Sequence, residues 1–357
     1  LTANCVTEKG SNYYATRTPV KCDFSEFEGT LVPTSSLDDP SVLRFTLDRD
    51  GSMSKGTMNI AGSVEVQNSG HTFTIGKVIG TGALGGGCTF QNGVSVGPNT
   101  WIIGNDATWS TSVKIKSNSN FQKIGTGTVT WQGNNENTGT TQIKEGTLKI
   151  QSGSCLGTGA LTVAENGTLM GVNTSAIPFK NSQIIVNGTL RVGSSASATS
   201  GNMFFGNKNL TIGQNGTLIM GVVRKATSSV TGGNLIQDIN RFTFNGTLQL
   251  YLSASHSLQV GDSIVLWRNV NTFEGTPHLE SLVIDMEKGL VWDTRDLTKG
   301  ILHVVAATPE AVDDVRHAST TEAVYDIHGN KIPEPRKGIN IIRQSDGSIK
   351  KIIRKKK

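Results

Sequence analysis

The side chains best able to do chemistry are six histidines, one aspartate pair and a few glycine-rich turns. His71, His256, His278, His303, His317 and His328 are scattered, with no His-Glu-x-x-His run and no metal-like pairing. Asp313-Asp314 places two carboxylates side by side, as acid/base chemistry requires. They follow Pro309 and Glu310 in a stretch with few strand signals, however, and read as a solvated acidic spacer. Gly70-His71-Thr72 has no second glycine and no paired aspartate, so His71 reads as a surface residue. No Gly-x-Ser-x-Gly elbow raises a serine nucleophile. The run Gly80-Thr81-Gly82-Ala83-Leu84-Gly85 approximates a dinucleotide fingerprint, but no helical pattern follows it to receive a pyrophosphate. Gly85-Gly86-Gly87 lacks the aspartate of calcium-binding nonapeptides and reads as a tight turn. The sequence thus predicts no catalytic residue, no cofactor and no metal.

Composition explains why such residues have no helices to position them. The chain has 42 Gly in 357 residues, 17% charged and 6% aromatic residues. That glycine share is about 12%, against an ordinary 7% or so. Short alternating runs of β-branched residues recur throughout, which argues for strands rather than disorder. No apolar run approaches the ~18 residues of a spanning helix, so no transmembrane segment is expected. The net charge of +5 is concentrated at the end. Residues 331–357 carry ten Lys or Arg against Glu334 and Asp346, which leaves −3 for the preceding 330 residues. A nucleic-acid binder shows a basic face through its body, and this body is slightly acidic. Cys5, Cys22, Cys88 and Cys155 show no ligand-like spacing. Cys5 and Cys22 either bridge in an oxidising compartment or remain separate thiols. Cys88 and Cys155, in glycine-rich strand contexts, read as small buried residues. The chain begins at Leu1 without a Met or a signal peptide, and reads as processed or as part of something longer.

The architecture is predicted by a repeat. Gly-Thr-Leu recurs at Gly146-Thr147-Leu148, Gly167-Thr168-Leu169, Gly188-Thr189-Leu190, Gly216-Thr217-Leu218 and Gly246-Thr247-Leu248. The glycines are 21, 21, 28 and 30 residues apart, and Asn precedes four of the five. A strand-like run lies upstream of each triplet, as in Leu161-Thr162-Val163 or Phe242-Thr243-Phe244. The unit is strand, turn, strand and a Gly/Ser/Asn-rich return. Hairpins have no reason to return to one triplet each period, whereas stacked coils do, because equivalent positions lie on one another. Leucine is expected inside, threonine and asparagine in ladders, and glycine at corners with φ > 0. The longer spacings read as coils carrying inserted loops.

Residues 121–131, from Phe121 through Gly125-Thr126-Gly127-Thr128 to Trp131, with residues 134–148 and 156–163, resemble the autotransporter-associated β-strand repeat of bacterial passenger proteins. Glu136-Asn137 stands where that family usually carries an aromatic. Residues 23–31, 72–76 and 101–109 resemble further coils, and residues 261–267, 289–294 and 300–304 resemble the closing segment of such passengers. The resemblance covers residues 23–306 and implies a right-handed parallel β-helix exported to the cell surface. With about 14 coils at ~4.8 Å each, the rod would be some 60–70 Å long.

After residue 305 the composition changes. Residues 306–322 read as an acidic linker, and residues 323–357 as a small β appendage of three strands. Its motif, Tyr325-Asp326-x-x-Gly329, then Gly338-Ile339-x-Ile341 and a Lys-rich strand, is similar to the C-terminal sorting tails of type IX secretion cargo. Asn340 occupies a place where such tails usually carry an aromatic. The resemblances together imply an all-β protein with a β-helix over residues 1–305. Its role would be a non-catalytic stalk or adhesin-like passenger of a Gram-negative bacterium, secreted or held at the outer-membrane surface. Its partners would be an extracellular glycan or host surface and, through the tail, the secretion machinery; no nucleic acid is expected. The alternative is the C-terminal, glycan-binding or inert part of a larger polysaccharide-degrading enzyme. Trp101, Trp109, Trp131, Trp267 and Trp292 are the sugar-stacking candidates if exposed.

Overall fold

Strands that recur once per repeat pair with their equivalents in the next repeat, and this organises the molecule. The structure, a computed structural model, describes residues 30–31, 44–47, 50–66, 70–85, 90–91, 94–95, 97–195, 198, 200–223, 230–252, 258–280, 283–285, 289–307, 321–344 and 349–354. The described residues are all-β: strands, loops and two 3-10 turns, Gly153–Leu156 and Leu297–Lys299. Twenty-one strands belong to one sheet whose pairings are mostly parallel. Backbone proximity divides the chain into two units, residues 1–284 with 292–304 and residues 285–291 with 305–357.

In the first unit the chain alternates between two long parallel ladders. One stacks Gly51–Ile60, Thr72–Gly80, Asn99–Ile103 and Ser119–Lys123 on the first halves of Thr141–Ile150 and Leu161–Gly171. It continues through Gln183–Val186 and the last residues of Gly201–Ile212 and Val230–Phe244. The other runs from Trp109–Thr111 and Thr128–Trp131 through the second halves of the two long strands. Thr189–Val192, Thr217–Val223, Thr247–Leu252 and His278–Leu279 follow. A shorter parallel sheet joins Arg44–Leu47, Ser63–Val66, Ala83–Leu84 and Lys114–Ile115.

Register follows the repeat. Leu148, Leu169, Leu190, Leu218 and Leu248 lie directly opposite one another, each fully buried, and Leu279 ends the column. Burying one such side chain contributes about 1.5–3 kcal/mol. Strand alternation sends the neighbouring threonines outward, so Thr128, Thr147, Thr168, Thr189, Thr217 and Thr247 form a half-buried ladder on the other face.

Two expectations are corrected here. Among the five triplet glycines only Gly146 (φ 63°) is left-handed. The other four are needed for space, because the backbone of a neighbouring parallel-paired segment lies against them. A Cβ at Gly167, Gly188, Gly216 or Gly246 would overlap the carbonyl oxygen of Ile143, Ala164, Val186 or Gly216 respectively. In the first two repeats, moreover, strand–turn–strand is one unbroken strand, Thr141–Ile150 and Leu161–Gly171, with a register shift between Ile143 and Glu145 absorbing the turn.

Antiparallel pairs interrupt the parallel order where Val222 and Val223 meet Gly233 and Gly232, and where Ser263–Val265 pairs with Ile301–Ala306 in register Ser263 with His303. Cys155 lies in the first 3-10 turn rather than a strand, buried and free, and burial pushes its thiol pKa up. Cys5, Cys22, Cys88 and most of the expected linker, residues 308–320, lie outside the described residues.

The second unit contains an antiparallel sheet in the order Lys331–Ile332, Thr321–Tyr325, Gly338–Gln344, Ile349–Arg354. It has four strands, not three. The run expected as its first strand folds back on itself, because Asp326 and Gly329 make a tight turn inside it. The Asp326 carboxylate accepts the N–H groups of His328 and Asn330, both at 2.9 Å, and Gly329 takes φ 85°.

Candidate functional site

The residues expected to matter fall into two groups, one in each unit. Gly146, Leu148, Gly167, Leu169, Gly188, Leu190, Gly216, Leu218, Gly246 and Leu248 form packing columns that present no reactive group to solvent. Tyr325 faces Ile341 across an antiparallel pair, and Ile339 is 36% exposed. Gly338, at φ 101°, opens the strand after Asn340 has closed the preceding turn. Asn340 is buried, accepts the N–H of Arg336 at 2.8 Å and donates to its carbonyl at 2.7 Å. The amide does work in that turn that a ring cannot do. Hydrogen bonds from Asn330 and His328 hold the Asp326 carboxyl below its ordinary pKa.

The tryptophans supply no sugar platform. All five are buried, Trp101, Trp131 and Trp267 completely. Tyr251 is 40% exposed.

Two buried cations stand out instead. Lys123 occupies an inward position, in register with Ile103 before it and Ile143 after it, and is fully buried. Its ammonium donates to the carbonyls of Ile124, Gly125 and Glu145 at 2.9, 2.6 and 2.9 Å. Burial pushes its pKa down to about 8, against the opposing pull of Glu145 and Asp106. With all its protons placed on protein acceptors, Lys123 is a structural tie.

Arg191 is different. Alternation points it outward, between Met170 and Ile219, yet it is only 1% exposed. The stretch from Gly188 to Gly216 is one of the two longer spacings, and Ala198 within it lies against the guanidinium. Nη2 of Arg191 donates to the Ala198 carbonyl at 3.0 Å, while Nε and Nη1 have no acceptor. The guanidinium carbon lies 5.5 Å from the centre of the Tyr251 ring. Gly221 is in register with Tyr251. Asn234, buried, accepts the Gly221 N–H at 2.5 Å and donates to the Gly201 carbonyl at 3.3 Å. Desolvation lowers the Arg191 pKa; only Tyr251 pulls it the other way.

A third cluster joins Ser263 Oγ to His303 Nδ1 at 2.9 Å and His303 Nε2 to Asp296 Oδ2 at 3.0 Å. Asp296 also accepts from Lys299 at 2.8 Å, and these bonds hold its pKa down. The order serine–histidine–aspartate is that of a nucleophilic triad. Here Ser263 sits in a strand paired on both sides, with Val230–Phe244 and with Ile301–Ala306, so its backbone N–H groups are committed to ladders rather than to an oxyanion. The cluster ties the Leu297–Lys299 turn to the closing strands. Beside that turn a groove of about 360 Å³ is lined by Phe273, Pro277, His278, Leu279, Thr294 and Leu297. His71, expected at the surface, is half-buried and 3.3 Å from Asp50.

Among the described residues no three His, Cys, Asp or Glu side chains group as a metal site, and no helix is long and apolar enough to cross a membrane. Neither a protein-family model nor a curated protein matches the chain.

Neither buried cation is among the residues that the sequence singles out. The twenty-residue offset that aligns Lys123 with Ile103 and Ile143 was available as a signal. Strand alternation does not mark Arg191, whose hydrogen-bond acceptor, the Ala198 carbonyl, lies seven residues on in an irregular stretch.

Proposed function

We propose that the chain is a non-catalytic passenger of a Gram-negative bacterium. In this reading the parallel unit is a right-handed β-helix used as a stalk or adhesin-like display surface, and the C-terminal unit is the address for the type IX secretion machinery. The observation that carries the reading is the unbroken register of the leucine column from Leu148 to Leu279, with the threonine ladder beside it. A solenoid of stacked coils makes such a column, and a solenoid's natural uses are reach and repeated surface. The Asp326 turn and the four-stranded antiparallel sheet support a compact tail that a receptor can recognise as a unit. The test is deletion of residues 321–357 in the native host. Retention of the truncated protein in the periplasm is the expected result. Normal delivery to the surface would overturn the sorting role.

A further inference from the structure

Two inward columns of the parallel unit end at an open groove. Phe273 lies in register with Phe242, and Leu279 with Leu248; among the described pairings each is the last member of its column. Both line the groove of about 360 Å³ beside the Leu297–Lys299 turn, where Leu279 is buried and Phe273 half-buried. Two rings hold Phe273 in orientation: Trp267 lies parallel to it at 5.6 Å, and Phe242 meets it edge-on at 5.4 Å. The groove also takes in the hydroxyls of Thr276, Thr294 and Thr298 and the imidazole of His278, all on exposed residues. None of these four side chains has a hydrogen-bond partner among the described residues. A threonine hydroxyl both donates and accepts, so one opening presents an aromatic ring with several uncommitted polar groups around it. No Lys, Arg, Asp or Glu lines the groove. The charges on its flanks are tied to one another, Glu274 to Arg241, Asp293 to Arg295 and Asp296 to Lys299. Of the charged residues adjacent to the lining, only Glu280, beyond Leu279, makes no ion pair among the described residues.

We propose that this groove binds an uncharged saccharide, with a sugar ring packed against Phe273 and the sugar hydroxyls bonded to the three threonines and His278. A sugar carries C–H groups on its ring faces and hydroxyls around its rim, which complements an aromatic ring edged by hydroxyls. A carboxylate- or sulfate-bearing glycan would find no cation in the lining to replace its hydration. The volume lies at the lower end of the range for small-molecule sites, and suits the end of a short saccharide rather than a protein surface. This inference rests on the reading of the chain as an adhesin-like display surface, and gives that surface a place and a ligand class.

The test is isothermal titration of the full chain with the neutral trisaccharides maltotriose, cellotriose, galactotriose, mannotriose and chitotriose. Trigalacturonate serves as the acidic probe and N-acetylphenylalaninamide as the apolar one. At least one neutral trisaccharide should bind, and its affinity should change less than about twofold between about 0.05 and 0.5 M salt, because no ion pair is made. Phe273→Ala should weaken binding at least about tenfold. Because Phe273 also packs within the fold, a second variant is needed. Thr294→Val combined with Thr298→Val removes hydroxyls at exposed positions, and should weaken binding several-fold with an unchanged unfolding midpoint. Failure of every neutral trisaccharide to bind, or wild-type affinity in the folded double variant, would overturn the site. Trigalacturonate binding more tightly than the neutral sugars would overturn the uncharged assignment. Tighter binding of N-acetylphenylalaninamide, insensitive to the double variant, would show an apolar peptide groove and overturn the saccharide assignment. Delivery of the chain to the cell surface is read separately by the tail deletion and bears on the passenger reading alone.

Discussion

The parallel unit and the C-terminal sheet both depend on glycine, for opposite reasons. At Gly167, Gly188, Gly216 and Gly246 the backbone of the preceding repeat lies where a Cβ would be. At Gly329 and Gly338 the space is open, and the need is for positive φ in a turn. The difference follows from how partners are joined. In the parallel unit Leu218 pairs with Leu248 and Trp101 with Phe121, so each contact closes a loop of twenty or more residues and spacing between backbones is set by stacking. In the C-terminal sheet the strands meet through short reversals, such as that between Tyr325 and Lys331, and turn geometry decides the pairing. A residue's role is therefore set by the kind of neighbour its strand has, not by its type.

The largest break in this comparison should come from the column itself. Leu190→Asp places an unpaired carboxylate between Leu169 and Leu218, and should cost at least about 4–5 kcal/mol. Chemical denaturation should show the parallel unit losing its cooperative transition while the antiparallel sheet keeps its own.

Lys123 sharpens the contrast between an inward charge and its apolar neighbours. Its folded pKa of about 8 lies below the ordinary lysine value of 10.5, so between those values the unfolded chain binds more protons than the folded one. Stability should therefore rise with pH across that window, by up to ~3 kcal/mol. Denaturation midpoints measured from pH 7 to 10.5 should show this rise in wild type, and Lys123→Met should flatten it. A wild-type curve parallel to that of the variant would remove the desolvated ammonium from the account.

Paired glycine substitutions test the opening comparison directly. Gly188→Ala forces a methyl against the Ala164 carbonyl and should cost about 2 kcal/mol. Gly329→Asn, with open space and a residue tolerant of left-handed backbone, should stay within about 0.5 kcal/mol. Equal losses would mean that crowding and conformation are not separated as described.

The smallest effect is expected from removing residues 321–357. The unfolding midpoint of the parallel unit should shift by no more than a few degrees, since its columns and ladders draw on residues before 305. A large drop would make the tail part of the parallel unit's own fold.

What the sequence determined is whatever repeats. A fixed period forces like beside like in a stacked sheet, so the leucine column, the threonine ladder and the all-β class were legible from five triplets. The Asp326–Gly329 reversal was encoded just as locally, although its splitting of a strand was not foreseen. Only the tertiary structure decided the rest, and the reason is the same in each case. Whether a triplet glycine bends the chain or makes room depends on the coil beneath it, which sequence spacing does not measure. Arg191 is buried and bonded to the Ala198 carbonyl at an outward position, where alternation alone predicts a solvated charge. The meeting of Ser263, His303 and Asp296 requires an antiparallel pairing across forty residues. Periodicity is a property of the chain, but the company a side chain keeps on a folded surface is set by segments far from it in sequence.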